Sequence, residues 1–123
     1  MHPTGITPNL PLNPDAEQAE RAREFYRDYL GFAVEEMNQG WVMRFTSPDG
    51  RASVQLVTRD ASAAVDSDLS VHVGDDVEAA YAEAQRRGYE IVHPLTTEPW
   101  GVRRFFVRAP NGTVINVVSH HDD

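Results

Sequence analysis

The sequence predicts an α+β fold made of two βαβββ modules. Three observations carry that prediction: an internal echo between the halves, a hydrophobic period that switches from helical to alternating after each echo, and matched turns. Residues 15–32 read DAEQAERAREFYRDYLGF and residues 75–89 read DDVEAAYAEAQRRGY, each opening on an acidic residue and closing on glycine plus an aromatic. Both read as helices. In the first, Ala22, Phe25, Tyr26, Tyr29 and Leu30 follow the i, i+3, i+4, i+7, i+8 pattern of one apolar stripe, and in the second Val77, Ala80, Tyr81 and Ala84 repeat it. Asp15 with Gln18, and Asp75 with Glu78, have capping-box spacing, and Gly31 and Gly88 suit the left-handed residue that closes a helix.

Strands are expected at residues 6–12 and 69–73 before the helices, and at 33–37 and 90–92 after them. Short β-branched and aromatic runs at 41–46, 52–58, 103–108 and 114–118 complete the set. Ser47-Pro48-Asp49-Gly50 and Ala109-Pro110-Asn111-Gly112 place Pro and Gly at the same offsets, as a tight antiparallel connection requires. The reading is one domain over 1–123, with module one at about residues 5–59 and module two at about 67–119. Neither module buries much surface by itself, so the expectation includes a homodimer. Between the helix-closing and hairpin glycines, module two is five residues longer, around PLTTEPWG at 94–101. That insertion carries Trp100, and a loop bearing an aromatic in a repeated scaffold is where ligand contacts are expected.

Composition narrows the function classes. Nineteen acidic residues against eleven basic ones give a formal charge of −8, which disfavours a nucleic-acid partner. An acidic exterior also suits steering of a cationic ligand. All eleven basic residues are arginine, and there is no cysteine, so thiolate catalysis and cysteine metal sites are excluded. No apolar run approaches the ~18 residues that cross a bilayer, and MHPTGITPNL lacks a basic start and an apolar stretch. No membrane association and a cytoplasmic location are the expectations. No phosphate-cradling glycine loop, dinucleotide fingerprint or nucleophile elbow is present.

Period-two alternation sorts the strand residues by face. Leu10, Leu12, Val54, Leu56, Leu69, Val71, Val73, Ile115 and Val117 form the apolar sets. Thr7 or Asn9, Ser53, Gln55, Asp68, Ser70, His72 and Asn116 fall opposite them. Gln55, Asp68, His72 and Asn116 are therefore candidates for orienting a ligand, with His72 able either to move a proton or to serve as a satisfied structural group. Trp41, Met43, Trp100 and Phe105 are candidates for apolar walls and stacking, although a core role competes for Phe45 and Phe105. Arg103 is the candidate clamp for an anionic group, with Arg104 beside it and surface pairing as the alternative. His93 reads as exposed, and His120 and His121 as part of a polar tail.

The paired βαβββ units resemble a known family, and three phrases strengthen the likeness: EFYRDYLGF at 24–32, VEAAY at 77–81 and APNGTVINVV at 109–118. The family is the vicinal oxygen chelate superfamily of glyoxalase, bleomycin resistance proteins and extradiol dioxygenases. The resemblance implies curved mixed sheets around a cleft, with helices outside. It also implies metal ligands on the first and last strand of each unit, which fall here on Thr7 (or Asn9), Gln55, Asp68 and Asn116. That set has no histidine and no glutamate and offers one charged group among neutral ones, a poor set for a divalent ion. The expectation is a binding protein with no metal or other cofactor. It resembles the bleomycin resistance branch, sequestering an aromatic or glycosylated natural product and so acting in antibiotic resistance. The alternative is a metal-dependent lyase, isomerase or dioxygenase of the same superfamily.

Overall fold

The computed structural model describes all residues except 14, 39, 61, 64 and 121–123. In chain order the elements are β1 (Gly5–Pro11), α1 (Ala16–Arg23) continued by a π-helical segment (Glu24–Tyr29), β2 (Val34–Asn38), β3 (Val42–Thr46) and β4 (Ser53–Val57). They continue with β5 (Leu69–His72), α2 (Val77–Arg86), β6 (Glu90–Thr97), β7 (Val102–Arg108) and β8 (Val114–His120). The βαβββ order occurs twice, and the mixed α+β class stands. Among the described residues, no helix is long and apolar enough to cross a membrane. The chain divides into two compact units, Thr7–Ala61 and Met1–Ile6 with Ser62–Asp123.

In the first unit the strand order is β2-β3-β4-β1, with β1 parallel to β4 and the other neighbours antiparallel. Alternation puts Met43, Phe45, Val54 and Leu56 on one face, where Leu10, Leu12, Ala22, Tyr26 and Phe32 pack against them. Helix α1 begins where expected: the Asp15 carboxylate accepts from the Gln18 backbone N–H at 3.2 Å. Its last turns differ from the sequence pattern. The Leu30 N–H reaches back to the Phe25 carbonyl at 2.9 Å, and this wider turn breaks the 3.6-residue stripe. Tyr26 stays in the core, while Phe25 and Tyr29 are left 49% and 76% exposed.

In the second unit the order is β5-β8-β7-β6, with β5 parallel to β8. Val73, Val77, Ala80, Ala84, Phe105 and Val117 form the core between α2 and the sheet, and Tyr81 meets Phe105 edge-on at 5.0 Å. The Asp75–Glu78 capping box does not form. The cap is Asp76, whose side chain makes no capping bond, and Glu78 accepts from Arg103 Nε at 2.9 Å instead. The five extra residues lengthen β6 to Thr97, with register shifts after Ile91 and His93, and the turn to β7 closes at Gly101 (φ +95°). An insertion absorbed into a strand keeps its backbone hydrogen-bonded and bends it at the bulges. Of the polar tail, Ser119 and His120 belong to β8, and His121 lies outside the described residues.

Candidate functional site

Each sheet has one face under its helix and one polar face, and the candidate chemistry lies on the polar faces. In the first unit Arg44, Gln55 and Asn9 stand in register on β3, β4 and β1. Arg44 donates through Nε and Nη2 to Gln55 Oε1 at 3.0 and 2.8 Å. Gln55 in turn donates through Nε2 to Asn9 Oδ1 at 2.5 Å. Both ends of the Gln55 amide are therefore engaged, and Asn9 is the β1 residue that meets it; Thr7 is buried on the same face. Arg44 is half-buried, and burial pushes its guanidinium below the ordinary arginine range, against the raising influence of Glu36. Among the described residues no carboxylate stands within ion-pairing distance of it.

In the second unit Ser70, Asn116 and Phe106 occupy the matching register on β5, β8 and β7. Asn116 donates through Nδ2 to Ser70 Oγ at 3.0 Å, while its Oδ1 is buried with no hydrogen-bond partner. One step along the same face, His72 Nδ1 and His120 Nε2 lie 3.1 Å apart with their rings stacked at 5.1 Å. Which ring donates to the other depends on their tautomers. Further out, Arg104 Nε pairs with Glu98 at 2.7 Å, and both side chains are nearly inaccessible. Glu98 also contacts His93 Nε2 at 3.2 Å, and Arg104 Nη2 donates to Ser62 Oγ at 3.0 Å. The Arg104 guanidinium lies 5.2 Å from the Trp100 ring centroid and 4.8 Å from that of Phe106, a cation held between aromatic faces.

Gln55, His72 and Asn116 thus lie on polar faces, and Trp100 is tied to one of them through Arg104. Five other expected contacts lie elsewhere. Met43 and Phe105 are core residues on the helix faces, because alternation puts them in phase with Phe45 and Val117. Phe105 also backs a groove of about 600 Å³ beside Ala79 and Val107, on the helix side of its sheet. Arg103 shares that side and is held by Glu78 and by Thr97 Oγ1, so it clamps nothing on the polar face. Asp68 precedes β5, is exposed, and its Oδ2 accepts from the Val114 backbone N–H at 2.8 Å. Trp41 precedes β3, where its carbonyl accepts from the Thr58 N–H and hydroxyl. Asn9 was the alternative to Thr7 and Arg104 stood beside Arg103 as a clamp candidate, while Arg44 is the polar-face residue that strand patterning did not single out. Its signal was phase alone, since it sits between the core residues Met43 and Phe45.

The register also tests the metal positions implied by the resemblance. The β5 residue that matches Asn9 is Ser70, not Asp68, so the matched set is Asn9, Gln55, Ser70 and Asn116. All four are neutral, and Gln55 Oε1 already accepts two N–H groups from a cation. Such donors do not fit a divalent metal, which favours carboxylate, imidazole or thiolate ligands. Among the described residues, no group of three or more His, Asp or Glu side chains could hold a metal ion.

A family model described as the Glyoxalase/Bleomycin resistance protein/Dioxygenase superfamily matches residues 16–117, and the chain belongs to that superfamily. Among solved structures it is similar to methylmalonyl-CoA epimerase from Mycobacterium tuberculosis, at 20% identity over 98% of this chain and 90% of that one, with a TM-score of 0.71. A glyoxalase/bleomycin resistance protein/dioxygenase superfamily member from Vibrio splendidus 12B01 matches at 18% identity over 93% and 97% of the two chains, with a TM-score of 0.67. A protein described as an NAD-dependent benzaldehyde dehydrogenase from Legionella pneumophila matches at 16% identity over 94% and 97%, also at 0.67. At these identities the likeness establishes the fold. A search of the curated proteins finds no significant match.

Proposed function

We propose that this chain is a small-molecule binding protein that holds an aromatic or glycosylated natural product by stacking and hydrogen bonds, without a bound metal. The observation that carries this reading is the set of residues at the matched strand positions. Asn9, Gln55, Ser70 and Asn116 are a set of neutral hydrogen-bonding groups rather than a ligand set for a cation. Trp100 beside Arg104 supplies flat apolar surface. A ligand of about 30 heavy atoms at roughly −0.3 kcal/mol each reaches about −9 kcal/mol, enough to protect a cell stoichiometrically, without turnover. The reading includes a homodimer working in the cytoplasm, and the exposed apolar side chains Phe25, Tyr29, Leu30 and Val34 support the dimer.

Titrating metal-stripped protein with a panel of aromatic and glycosylated antibiotics, followed by tryptophan fluorescence, tests the proposal. Saturable binding that is the same with and without chelator is expected. Turnover or binding that appears only when a divalent metal is restored would replace it with the metal-dependent lyase, isomerase or dioxygenase.

A further inference from the structure

We infer that Arg44 forms an anion subsite on the polar face of the first unit, made to receive the two-oxygen head of a small carboxylate or phosphate monoester. The inference rests on the small-molecule reading above and narrows the ligand class. A guanidinium carries five N–H donors in a planar fork. Gln55 Oε1 accepts from Nε and Nη2 along one edge, and Asn9 in turn accepts from Gln55, so that edge is fixed by two neighbours in register. Three donors remain, on Nη1 and the second Nη2 position, and these form the end-on fork that matches a pair of anionic oxygens.

The surroundings leave that fork unused. Arg23, Arg103, Arg104 and Arg108 each pair with at least one carboxylate within 3.3 Å. Arg44 has none among the described residues, although it is half-buried, and its one acceptor is a neutral amide oxygen. Glu36 acts on it only through its field and makes no hydrogen bond to it. Among the described residues, the sealed side-chain atoms lacking a partner are Asn116 Oδ1 and Ser119 Oγ, so Arg44 Nη1, which makes no hydrogen bond, is not sealed from solvent. A cation that is partly desolvated and lacks a counter-charge costs stability, and an anion from outside recovers it. Arg44 stands directly across β3 and β4 from Gln55, so the guanidinium is a fixed positive charge on the polar face.

The test uses the full chain labelled with ¹⁵N and three probes of one shape: benzoate, phenyl phosphate and the neutral benzamide. The Arg44 Nε–H resonance, assigned by its loss in Arg44→Gln, reports anion binding at the other edge of the same guanidinium. The expected result is a saturable shift with benzoate or phenyl phosphate, whichever head fits better, and affinity roughly tenfold or more above benzamide, as charge-assisted hydrogen bonds give. In Arg44→Gln the preference for the anion disappears, while circular dichroism stays that of the wild type. Equal binding of anionic and neutral probes would overturn the subsite while leaving the small-molecule reading intact. So would an anion preference that survives in Arg44→Gln, or no shift with either anion. Failure of the small-molecule reading itself is read separately, in the metal dependence of the antibiotic panel.

Discussion

Phe106 lies directly across β7 and β8 from Asn116, and in that place it offers no donor to the Asn116 side-chain oxygen. The corresponding pair in the first unit is Arg44 and Gln55, where a guanidinium fills the same need. One repeat therefore meets its amide oxygen from within and the other does not, so a fold that repeats its strands need not repeat its chemistry.

Asn116→Leu tests that asymmetry. Removing an unpaired buried acceptor relieves about 1 kcal/mol or more, against the loss of one hydrogen bond to Ser70 at 3.0 Å. The expected outcome is an unchanged or higher urea midpoint. A purely structural asparagine would lower the midpoint.

Glu98→Gln tests the Arg104 cluster. Both members of the pair are nearly inaccessible, and Glu98 also contacts His93. Losing the charge on one side strands the other, so destabilisation of about 3 kcal/mol is expected in urea unfolding. A loss below about 0.5 kcal/mol would mean that the pair contributes little.

The acid limb of stability carries a signature of α2. Hydrogen bonds from Arg86 and Arg87 hold the Glu83 carboxyl down to about 2, from an ordinary 4.5. A depressed folded value contributes stability above the unfolded value and loses it as pH falls through the folded one. The Tm values of wild type and Glu83→Gln should therefore converge as pH drops from about 4.5 toward 2, with wild type higher above that window. Parallel curves across the whole range would show that the pairs are inert.

The exposed end of α1 tests the proposed dimer. Phe25 and Tyr29 lie with ring centroids 5.4 Å apart and remain largely exposed. Tyr29→Glu should shift the species seen by light scattering from dimer to monomer, with circular dichroism unchanged. A wild type that is monomeric at every concentration would remove the dimer from the account.

Much of the fold was legible because it depends on local pattern. The echo of helix, turn and alternating strand needs only period and punctuation, and the Asp15 cap and the left-handed Gly31 and Gly88 follow the same logic. The site was less legible, because alternation gives two faces without saying which one a ligand meets. Met43 and Phe105 looked like ligand walls because they are large and apolar, and those properties bury them under helices instead. Arg103 and Arg104 are adjacent in sequence and part company in space, one to Glu78 on α2 and the other to Glu98. The shift from Asp68 to Ser70 as the partner of Asn116 depends on strand register, which pairing sets and composition does not show.

Calorimetric titration of Zn²⁺ and Ni²⁺ into the chelator-stripped chain, run alongside Gln55→Ala and Asn116→Leu, addresses the central claim most directly. Neutral amides and hydroxyls at Asn9, Gln55, Ser70 and Asn116 predict no stoichiometric metal binding in the wild type and no difference among the three proteins. One equivalent of metal per chain, bound tightly and lost in either variant, would contradict it and establish those positions as a metal centre.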